Sequence, residues 1–458
     1  MTNRTRSVQD GPKAPAVTGF NEFGLHAELL RALDELEFTQ PTPIQTDAIP
    51  PAMAGRDLLA CATTGSGKTA AFLLPILNRL RSEPRRGTKA LIITPTRELA
   101  AQIVDHFGGL AKHTKIRAAA VYGGVGMKPQ EDALRRGVDI IVATPGRLLD
   151  HMQYDYARLA DLEVLVLDEA DRMLDMGFLP DIRRILAQLP KKKRQTLFFS
   201  ATIPAPIAEL SRELLDRPAR INIERKAAPA TGITQALYPV SAKLKADLLV
   251  DLLRRNTIGN AIVFCRTKHR ANRLAEKVTK AGISTARIHG NRSQAQRTEA
   301  LAGFKTGRYR VLVATDIVAR GIDVEALEHV VNFDVPAAPD DYIHRVGRTA
   351  RAEAIGDAYT LVSPEEEGDV RAIERAIGRR IERRTVSGFD YNARTQEVLE
   401  VPLAERIAAI RARKSEERAR ARAKQERENV PISLRSRAEP PRAQARMGNR
   451  SGARGRSR

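Results

Sequence analysis

The chain contains no tryptophan, few other aromatic residues and no long apolar run. Phenylalanine and tyrosine together make up 4 % of its residues, so any stacking on planar ligands has to use a small number of rings. No segment reaches the roughly 18 consecutive apolar residues that indicate a transmembrane helix. Residues 1–19 are polar and lack the apolar core of a secretory signal. We therefore expect a soluble, cytoplasmic protein.

Cysteine is also scarce, with Cys61 and Cys265 the two examples in 458 residues. Both lie inside apolar runs, and no group of Cys and His with the spacing of a metal site accompanies them. The sequence therefore favours two core thiols in a reducing compartment over a redox role.

Positive charge is in excess, with 76 Lys and Arg against 55 Asp and Glu and a formal net charge of +21. A charge of this sign indicates a polyanionic partner, most simply nucleic acid. Residues 404–458 hold 17 basic and 6 acidic residues, a net of +11, which leaves +10 for the rest of the chain. The body is therefore basic without its C-terminal extension.

Short apolar runs alternate with helical patterns over two consecutive stretches of the chain. This alternation predicts an α/β fold with a parallel sheet in each stretch. The strands predicted in the first stretch are 57–61, 90–94, 118–122, 139–143, 163–167, 196–200 and 220–223, and those in the second are 261–265, 284–288, 310–314, 329–333 and 358–362.

Breaks in this pattern predict the domain boundaries. The predicted division is a disordered N-terminus at 1–19, a first domain at 20–225, a linker at 226–232, a second domain at 233–385 and a basic extension at 386–458. Within the extension, residues 403–429 interleave Glu and Arg and are expected to form a solvated helix. Residues 430–458 are rich in Arg, Gly, Ser and Pro and are expected to be disordered.

A phosphate-binding loop is indicated by Ala-Thr-Thr-Gly-Ser-Gly-Lys-Thr at residues 62–69, after a predicted strand. Its two glycines permit a tight turn that directs backbone N–H groups at a phosphate, and the following helix directs its N-terminus to the same point. Lys68 is expected to reach the β- and γ-phosphates of a nucleotide, and Thr69 to hold Mg²⁺. Ala62 stands where the general pattern has its first glycine, so an ordinary loop between strand and helix is the alternative. The residues predicted to bind nucleotide here are Thr64, Gly65, Ser66, Gly67, Lys68 and Thr69.

An acidic site follows the apolar run 164–167, where the chain reads Asp-Glu-Ala-Asp. Asp168 is expected at the carboxyl end of a strand that adjoins the phosphate loop, which is where ligands bind in open α/β sheets. We expect Asp168 to hold Mg²⁺ through water and Glu169 to orient and deprotonate the attacking water. The alternative is the solvated face of an ordinary helix.

With these two motifs in order, the chain resembles the DEAD-box ATP-dependent RNA helicases of superfamily 2, over roughly residues 20–385. The resemblance implies two tandem RecA-like parallel-sheet domains joined by a short linker. Residues 38–45 (FTQPTPIQ) resemble the family's adenine-reading Q motif, which assigns Gln45 to the adenine edge and Phe20 to stacking on the ring. Glu37 stands where the family usually has glycine, and we expect a small change in the turn with adenine selection intact.

Further matches to the family's motifs imply RNA contacts and coupling residues. Hydroxyls, arginines and bare glycine backbone suit contacts with phosphates and sugars rather than with bases. By resemblance the RNA-contacting residues are Pro95, Thr96, Arg97, Gly123, Gly124, Thr144, Pro145 and Arg147 in the first domain and Arg266, Gln294, Arg297 and Thr315 in the second. The residues implied to couple ATP state to unwinding are Asp171, Ser200, Thr202 and His344. Hydrogen bonds from the Ser-Ala-Thr motif to Asp171 and to the second domain are expected.

The resemblance also implies that the second domain completes the nucleotide site. Residues 314–323 match motif V, with Asp323 expected at the ribose of ATP, and residues 344–351 match motif VI. Arg348 and Arg351 would be arginine fingers that stabilise the γ-phosphate in the transition state when the domains close. The catalytic residues implied are therefore Lys68, Asp168, Glu169, Arg348 and Arg351.

The activity implied is that of an RNA helicase whose cofactors are ATP and Mg²⁺. Single-stranded RNA would lie across both domains, and RNA-stimulated ATP hydrolysis would unwind short duplexes or remodel RNA–protein complexes. Backbone and 2′-OH contacts imply little sequence preference. The short Arg-rich extension, without a dedicated RNA-recognition domain after residue 385, resembles the bacterial RhlE-like type. We expect a monomer, with ribosomal precursors or an RNA-decay nuclease among its possible partners.

Two other functions fit parts of the pattern. The same two domains serve DNA helicases, and fold alone does not exclude them; the Q motif and the Asp-Glu-Ala-Asp motif favour RNA. A non-enzymatic RNA-binding scaffold would need a defective nucleotide site, which the intact Lys68, Glu169 and both arginine fingers argue against. The basic extension is expected to tether RNA in a salt-dependent manner, with a purely solubilising tail as the alternative.

Overall fold

A computed structural model of the chain describes residues 19–62, 65–82, 87–190, 194–222, 232–316, 327–349 and 356–393. All but the last residue of the predicted N-terminus, all but the last residue of the predicted linker, and the predicted helix and tail of the C-terminal extension lie outside these ranges. None of the helices within the ranges combines the length and the hydropathy that crossing a bilayer requires.

The first lobe alternates strands and helices from residue 20 to residue 222. Its strands are β1 Leu58–Cys61, β2 Ala90–Ile93, β3 Ala118–Val121, β4 Ile140–Ala143, β5 Val164–Leu167, β6 Gln195–Ser200 and β7 Ala219–Asn222. Its helices are a short 3-10 helix at Phe20–Phe23 and α1 Ala27–Glu35, α2 Pro43–Met53, α3 Lys68–Ser82, α4 Arg97–Leu110, α5 Met127–Arg136, α6 Pro145–Met152, α7 Ala170–Asp175, α8 Leu179–Gln188 and α9 Ala205–Leu214.

The second lobe repeats this alternation from residue 233 onwards. Its strands are β8 Ile233–Pro239, β9 Ala261–Cys265, β10 Thr285–Ile288, β11 Val311–Thr315, β12 His329–Asn332, β13 Gly356–Val362 and β14 Glu382–Arg383. Its helices are α10 Lys245–Arg254, α11 Lys268–Lys280, α12 Gln294–Lys305, α13 Pro339–Val346, a short 3-10 helix at Pro364–Glu366 and α14 Glu367–Ile377.

Each lobe has a seven-stranded parallel sheet, so the predicted fold class is confirmed. The strand orders are β3-β4-β2-β5-β6-β1-β7 and β10-β11-β9-β12-β13-β8-β14. Because every pairing is parallel, the strands of each lobe end at one edge, which we call the carboxyl rim. The loops that carry the motifs leave the sheets at this rim.

Burial on both faces explains why the strands are continuous apolar runs. In β5, Val164 and Val166 pack into one apolar cluster, whereas Leu165 and Leu167 pack into another on the opposite face. Strands covered by helices on both sides have no polar face, so their sequences do not alternate. The same pattern in β2 and β4 makes these strands recognisable from sequence.

Two strands were not predicted from the sequence, and neither was the order of the strands in the sheets. β8 reads ITQALYP and includes the buried polar Gln235, whose side-chain oxygen accepts a hydrogen bond from Tyr342 at 3.0 Å. β14 consists of two exposed residues and carries no apolar signal. The strand that precedes Asp168 does not adjoin β1, because β6 pairs with both and lies between them. Strand order depends on long-range pairing that a local pattern does not contain.

Glu37 has a left-handed backbone conformation in the turn that ends α1. Its φ is 58°, its N–H donates to Asp34 at 3.0 Å, and the N–H of Phe38 donates to Leu33 at 2.9 Å. These two bonds form a Schellman motif, in which glycine is the usual residue at this position. The turn thus keeps its hydrogen bonds although a residue with a side chain occupies the glycine position.

Glu37→Gly is expected to stabilise the first lobe by about 0.5–1 kcal/mol, because it removes the steric cost of a left-handed residue. Urea or thermal unfolding of the full chain measures the change. Glu37→Ala is the matched control, since it removes the same charge and keeps the strain. Equal stabilisation by both variants would show that charge, not backbone conformation, is responsible.

Candidate nucleotide and RNA site

The phosphate loop lies between β1 and α3, as predicted. Gly65 and Gly67 have φ values of 78° and 95°, which residues with a side chain rarely adopt. α3 begins at Lys68, so the positive end of the helix opens at the loop. Thr64 lies outside the described residues.

The acidic motif stands opposite this loop. Asp168 follows β5 directly, and Glu169, with φ 53° and ψ 51°, is a left-handed residue at the start of α7. Lys68 Nζ lies 3.7 Å from Asp168 Oδ1, and both side chains are buried. Neither atom has a hydrogen-bond partner among the residues that the structure describes. A left-handed non-glycine residue beside two such groups is typical of functional sites.

Burial raises the pKa of the Asp168 carboxyl to about 6, with Glu169 adding to the rise and the Lys68 cation opposing it. A buried carboxylate and a buried ammonium that do not hydrogen-bond to each other suit a ligand that carries both signs of charge. Mg²⁺ with the phosphates of a nucleotide is such a ligand, since Mg²⁺ binds through one or two carboxylates plus phosphate oxygens and water. The residues therefore fit the predicted metal.

One cavity of 430 Å³ joins the predicted nucleotide residues. Its walls come from the Q motif, the phosphate loop, the acidic motif and the inner face of α4. The lining residues predicted from sequence are Gln45, Gly65, Gly67, Lys68, Thr69, Asp168 and Glu169. Those that were not predicted include Phe38, Gln102, Asp105 and His106.

The Q motif holds the phosphate loop in place. Gln45 is 2 % exposed, and its amide nitrogen donates to the Gly67 carbonyl at 3.1 Å while its oxygen accepts from the Thr42 N–H at 2.9 Å. The Thr42 hydroxyl donates to the Ser66 carbonyl at 2.8 Å. A Cβ at Gly67 would stand 2.6 Å from the Gln45 amide nitrogen, so this close approach requires glycine. The adenine contact of Gln45 stays a prediction, and Thr42 is a loop-holding residue that sequence reasoning missed.

Phe20 lies behind the cavity rather than in its wall. It is 5 % exposed and packs edge-on against Phe23 and Phe38, with ring centroids 5.9 and 6.1 Å apart. Phe38, at 38 % exposure, is the aromatic residue that lines the cavity. Stacking of Phe20 on adenine stays a prediction, and in this structure Phe38 presents the accessible ring.

The hydrogen bonds predicted between the Ser-Ala-Thr motif and Asp171 are present. Asp171 Oδ2 accepts from both the backbone N–H and the hydroxyl of Thr202 at 2.8 Å, and Ser200 Oγ accepts from the Asp171 N–H at 3.1 Å. Asp171 and Thr202 also line a cleft of 650 Å³ that includes Asp341 and His344 of the second lobe. The predicted coupling residues are therefore brought together at one place between the lobes.

The RNA motifs of the first lobe meet at its carboxyl rim. The guanidinium of Arg97 rests on the bare backbone of Gly123 and Gly124, where a Cβ on Gly124 would collide with it. Arg147 donates to the Val125 carbonyl at 3.2 Å, in the same loop. Of the remaining predicted residues, Thr96 caps α4 and directly follows Pro95, and Thr144 and Pro145 begin α6.

The second lobe places its motifs at the corresponding rim. Thr315 is the last residue of β11. Asp316, which follows Thr315, forms a bidentate ion pair with Arg345 at 2.6 and 2.7 Å. Arg266 donates to the Val335 carbonyl at 3.1 Å and keeps a half-exposed side chain. Arg348 is 5 % exposed. Asp323 and Arg351 lie outside the described residues, so their predicted roles stay predictions.

Glu98 joins the two lobes, and sequence reasoning assigned it no role. Its carboxylate contacts Arg297 at 2.6 Å and accepts a hydrogen bond from Gln294 at 3.2 Å. Glu98 and Arg297 are both nearly inaccessible to solvent. The two predicted RNA-contacting residues at the start of α12 therefore face an acid of α4 in this structure. The signal available in the sequence was an acidic residue within a motif predicted to contact polyanionic RNA, residues 95–100, but the sequence did not indicate its partner.

Comparisons with known proteins agree with this geometry. The family model "DEAD/DEAH box helicase" matches residues 42–210, and "Helicase conserved C-terminal domain" matches residues 244–353. The DEAD-box ATP-dependent RNA helicase CshA of Bacillus cereus is 41 % identical over 374 residues, which cover 82 % of this chain and 71 % of CshA. The DEAD-box ATP-dependent RNA helicase RhpA of Helicobacter pylori is 42 % identical over 79 % of this chain and 73 % of RhpA.

Solved structures of similar proteins share the two-lobed fold. Dbp5 of S. cerevisiae, bound to RNA and ADP BeF3, has a TM-score of 0.74 and 31 % identity over 81 % of this chain and 96 % of that one. The DEAD-box helicase Mss116, bound to ssRNA and UDP-BeF, has a TM-score of 0.73 and 28 % identity over 81 % of this chain and 80 % of that one. Two RecA-like lobes, the family models and the identity to curated relatives lead to one conclusion: the chain belongs to the DEAD-box ATP-dependent RNA helicases.

Proposed function

We propose that this helicase binds ATP in the cavity of the first lobe and hydrolyses it when RNA draws the two lobes together. The observation that carries the proposal is the convergence of Lys68, Asp168 and Glu169 on a cavity that the Q motif also lines. Lys68 would hold the β- and γ-phosphates, and Glu169 would take a proton from the attacking water. Mg²⁺, held by Thr69 and Asp168, would neutralise charge that develops on the phosphate oxygens.

The second lobe would complete the catalytic site by supplying Arg348 and Arg351. Single-stranded RNA would cross both carboxyl rims and contact Arg97 and the glycine pair in one lobe and Arg266 and Thr315 in the other. Since these contacts go to the backbone, we propose little sequence preference. The likeness to Dbp5 and Mss116, both solved with RNA and a nucleotide analogue, supports this arrangement.

We propose the RhlE-like type, a monomeric state and a cytoplasmic location. Ribosomal precursors or an RNA-decay nuclease would be its partners, and the basic extension would tether RNA. Curated bacterial relatives such as CshA support the bacterial setting.

Steady-state ATPase measurements on the full chain test the proposal. We expect strong stimulation by single-stranded RNA and little by single-stranded DNA of equal length, because 2′-OH contacts distinguish the two. Equal stimulation by DNA would favour a general or DNA helicase. No hydrolysis with either nucleic acid would favour the RNA-binding scaffold.

A further inference from the structure

Four exposed arginines around the end of α14 surround one open depression of 680 Å³. Arg371 and Arg375 are one helical turn apart on the same face of α14, and Arg379 and Arg380 follow in the turn after it. We call these four residues the arginine face. None of them belongs to a motif that the resemblance to helicases assigns to RNA.

The arginine face is not neutralised by neighbouring acids. Among the described residues, its four guanidinium groups have no ion pair or hydrogen bond. Glu374, the acidic residue that lines the depression, instead pairs with Arg383 at 3.2 Å and accepts the Ile381 N–H at 2.9 Å. Glu367, one helical turn before Arg371, also pairs with Arg383, at 3.3 Å. The depression therefore carries uncompensated positive charge.

Bare backbone at two positions lets a ligand approach closely. Gly368 and Gly378 line the depression, and a Cβ built on either would meet no atom within 4 Å. Gly378, with φ 72°, also ends the helix. Arginine and glycine account for six of the seven lining residues, and no aromatic or large aliphatic side chain is among them. The energetic centres of protein interfaces combine arginine with aromatic anchors such as Trp and Tyr, and no aromatic residue lines this depression, so its composition favours a polyanion over a protein partner.

The arginine face lies away from the predicted RNA contacts. β13 ends at the carboxyl rim, and α14 then runs back from the rim over 11 residues, or about 16 Å. Arg266, the predicted RNA contact in this part of the rim, contacts Glu366 at 3.4 Å, just before α14 begins. We call the surface of the two carboxyl rims that carries the predicted RNA contacts the groove between the lobes. An RNA that fills only this groove would not reach Arg379 and Arg380.

We propose that the arginine face binds the phosphate backbone of RNA that extends beyond the groove between the lobes. Guanidinium groups pair with phosphate oxygens through two parallel hydrogen bonds, which makes arginine well suited to this ligand. The contact is independent of base sequence. It rests on RNA binding by this family and adds a surface that helicase motifs do not include.

Neutralising the arginine face tests the proposal in the full chain. The variant combines Arg371→Gln, Arg375→Gln, Arg379→Gln and Arg380→Gln. For a single-stranded RNA of about 30 nucleotides, longer than one site, the slope of log Kd against log salt is expected to fall by up to about 3, or 0.7 per lost phosphate contact. Unchanged affinity and slope would overturn the proposal.

A matched control removes the same charge elsewhere. Arg183, Arg184, Arg212 and Arg217 are also exposed, and replacing them with Gln leaves the arginine face intact. An equal fall in slope in this control would show a general charge effect and overturn the proposal. A second RNA of about 8 nucleotides, the size of a single site, separates the surfaces. If affinity for it falls as much as for the long RNA, the arginines belong to the groove and the proposal is wrong.

A smaller change covers the case in which the fourfold variant does not fold. Arg379→Gln with Arg380→Gln alters the turn after α14 and leaves the helix itself unchanged, and it should lower the slope by about half as much. Crosslinking of wild-type protein to long RNA that contains 4-thiouridine gives an independent result. Crosslinks within residues 368–380 support the proposal, and crosslinks to the rims alone contradict it.

Discussion

Glu169→Gln is expected to lower kcat for RNA-stimulated ATP hydrolysis by about 10²–10⁴-fold, the usual contribution of a general base. The amide keeps the shape of the side chain and its left-handed backbone position, but it cannot accept a proton from water. ATP binding should change little, since Lys68 and the phosphate loop are untouched. Initial rates at saturating RNA, with ATP varied, separate kcat from KM.

Glu163→Gln is the matched control for this variant. It makes the same substitution at the opposite end of β5, where Glu163 pairs with Lys89 at 2.5 Å away from the cavity. We expect wild-type kcat from it. If Glu169→Gln also retained wild-type kcat, Glu169 would not be the general base, and another group in the cavity would have to activate the water.

Glu98→Ala is expected to raise the RNA concentration that half-saturates ATP hydrolysis by about 100-fold or more. Removing one partner of a buried ion pair costs about 3–5 kcal/mol, and 1.4 kcal/mol is a factor of ten. Because Glu98 and Arg297 belong to different lobes, separation of the lobes returns Arg297 to water. The cost should therefore appear in the association of the lobes, with little change in the unfolding temperature of either.

A double-mutant cycle isolates this contact. Arg297→Ala should have a similar effect, and the double variant should be little worse than either single one, because both remove the same interaction. Glu276→Ala, which breaks the exposed pair with Arg287 at 2.8 Å, is the control and should leave half-saturation unchanged. Additive effects of Glu98→Ala and Arg297→Ala would mean that the two residues act separately.

Much of the fold was predictable because the information is local. Strands buried on both faces, such as β2 and β5, are uninterrupted apolar runs, and the loop with glycine at residues 65 and 67 follows β1. The parts of the fold that were not predicted depend on contacts between residues that are far apart in the sequence. Gln235 in β8 is polar, which predicts an exposed position. In the structure it is buried, and its side-chain oxygen accepts a hydrogen bond from Tyr342. The position of β6 between β1 and β5 follows from pairing, which no local pattern specifies.

In the candidate site, too, the residue types were predictable from the sequence, whereas contacts between distant residues were not. The residue types at Lys68, Asp168 and Glu169 indicated their chemistry, and the structure places all three on one cavity. The partners of charged residues were not predictable in this way. Glu98 and Arg297 are 199 positions apart, and nothing near either one in the sequence indicates that they meet. Phe38 and Phe20 are both aromatic, and packing alone decides which ring is accessible.

The hydrogen bond from Gln45 to the phosphate loop has a consequence for how the enzyme distinguishes nucleotides. A glutamine amide has two N–H groups and two lone pairs, and Gln45 uses one of each to hold Gly67 and Thr42. The remaining N–H and lone pair are what it can offer to a base, so one side chain would serve both ends of the nucleotide if Gln45 contacts adenine as predicted. A wrong base would tilt the amide and shift the loop around the triphosphate. Discrimination between bases would then appear in the turnover rate as well as in affinity, and even a triphosphate without a base would be sensitive to the loss of Gln45.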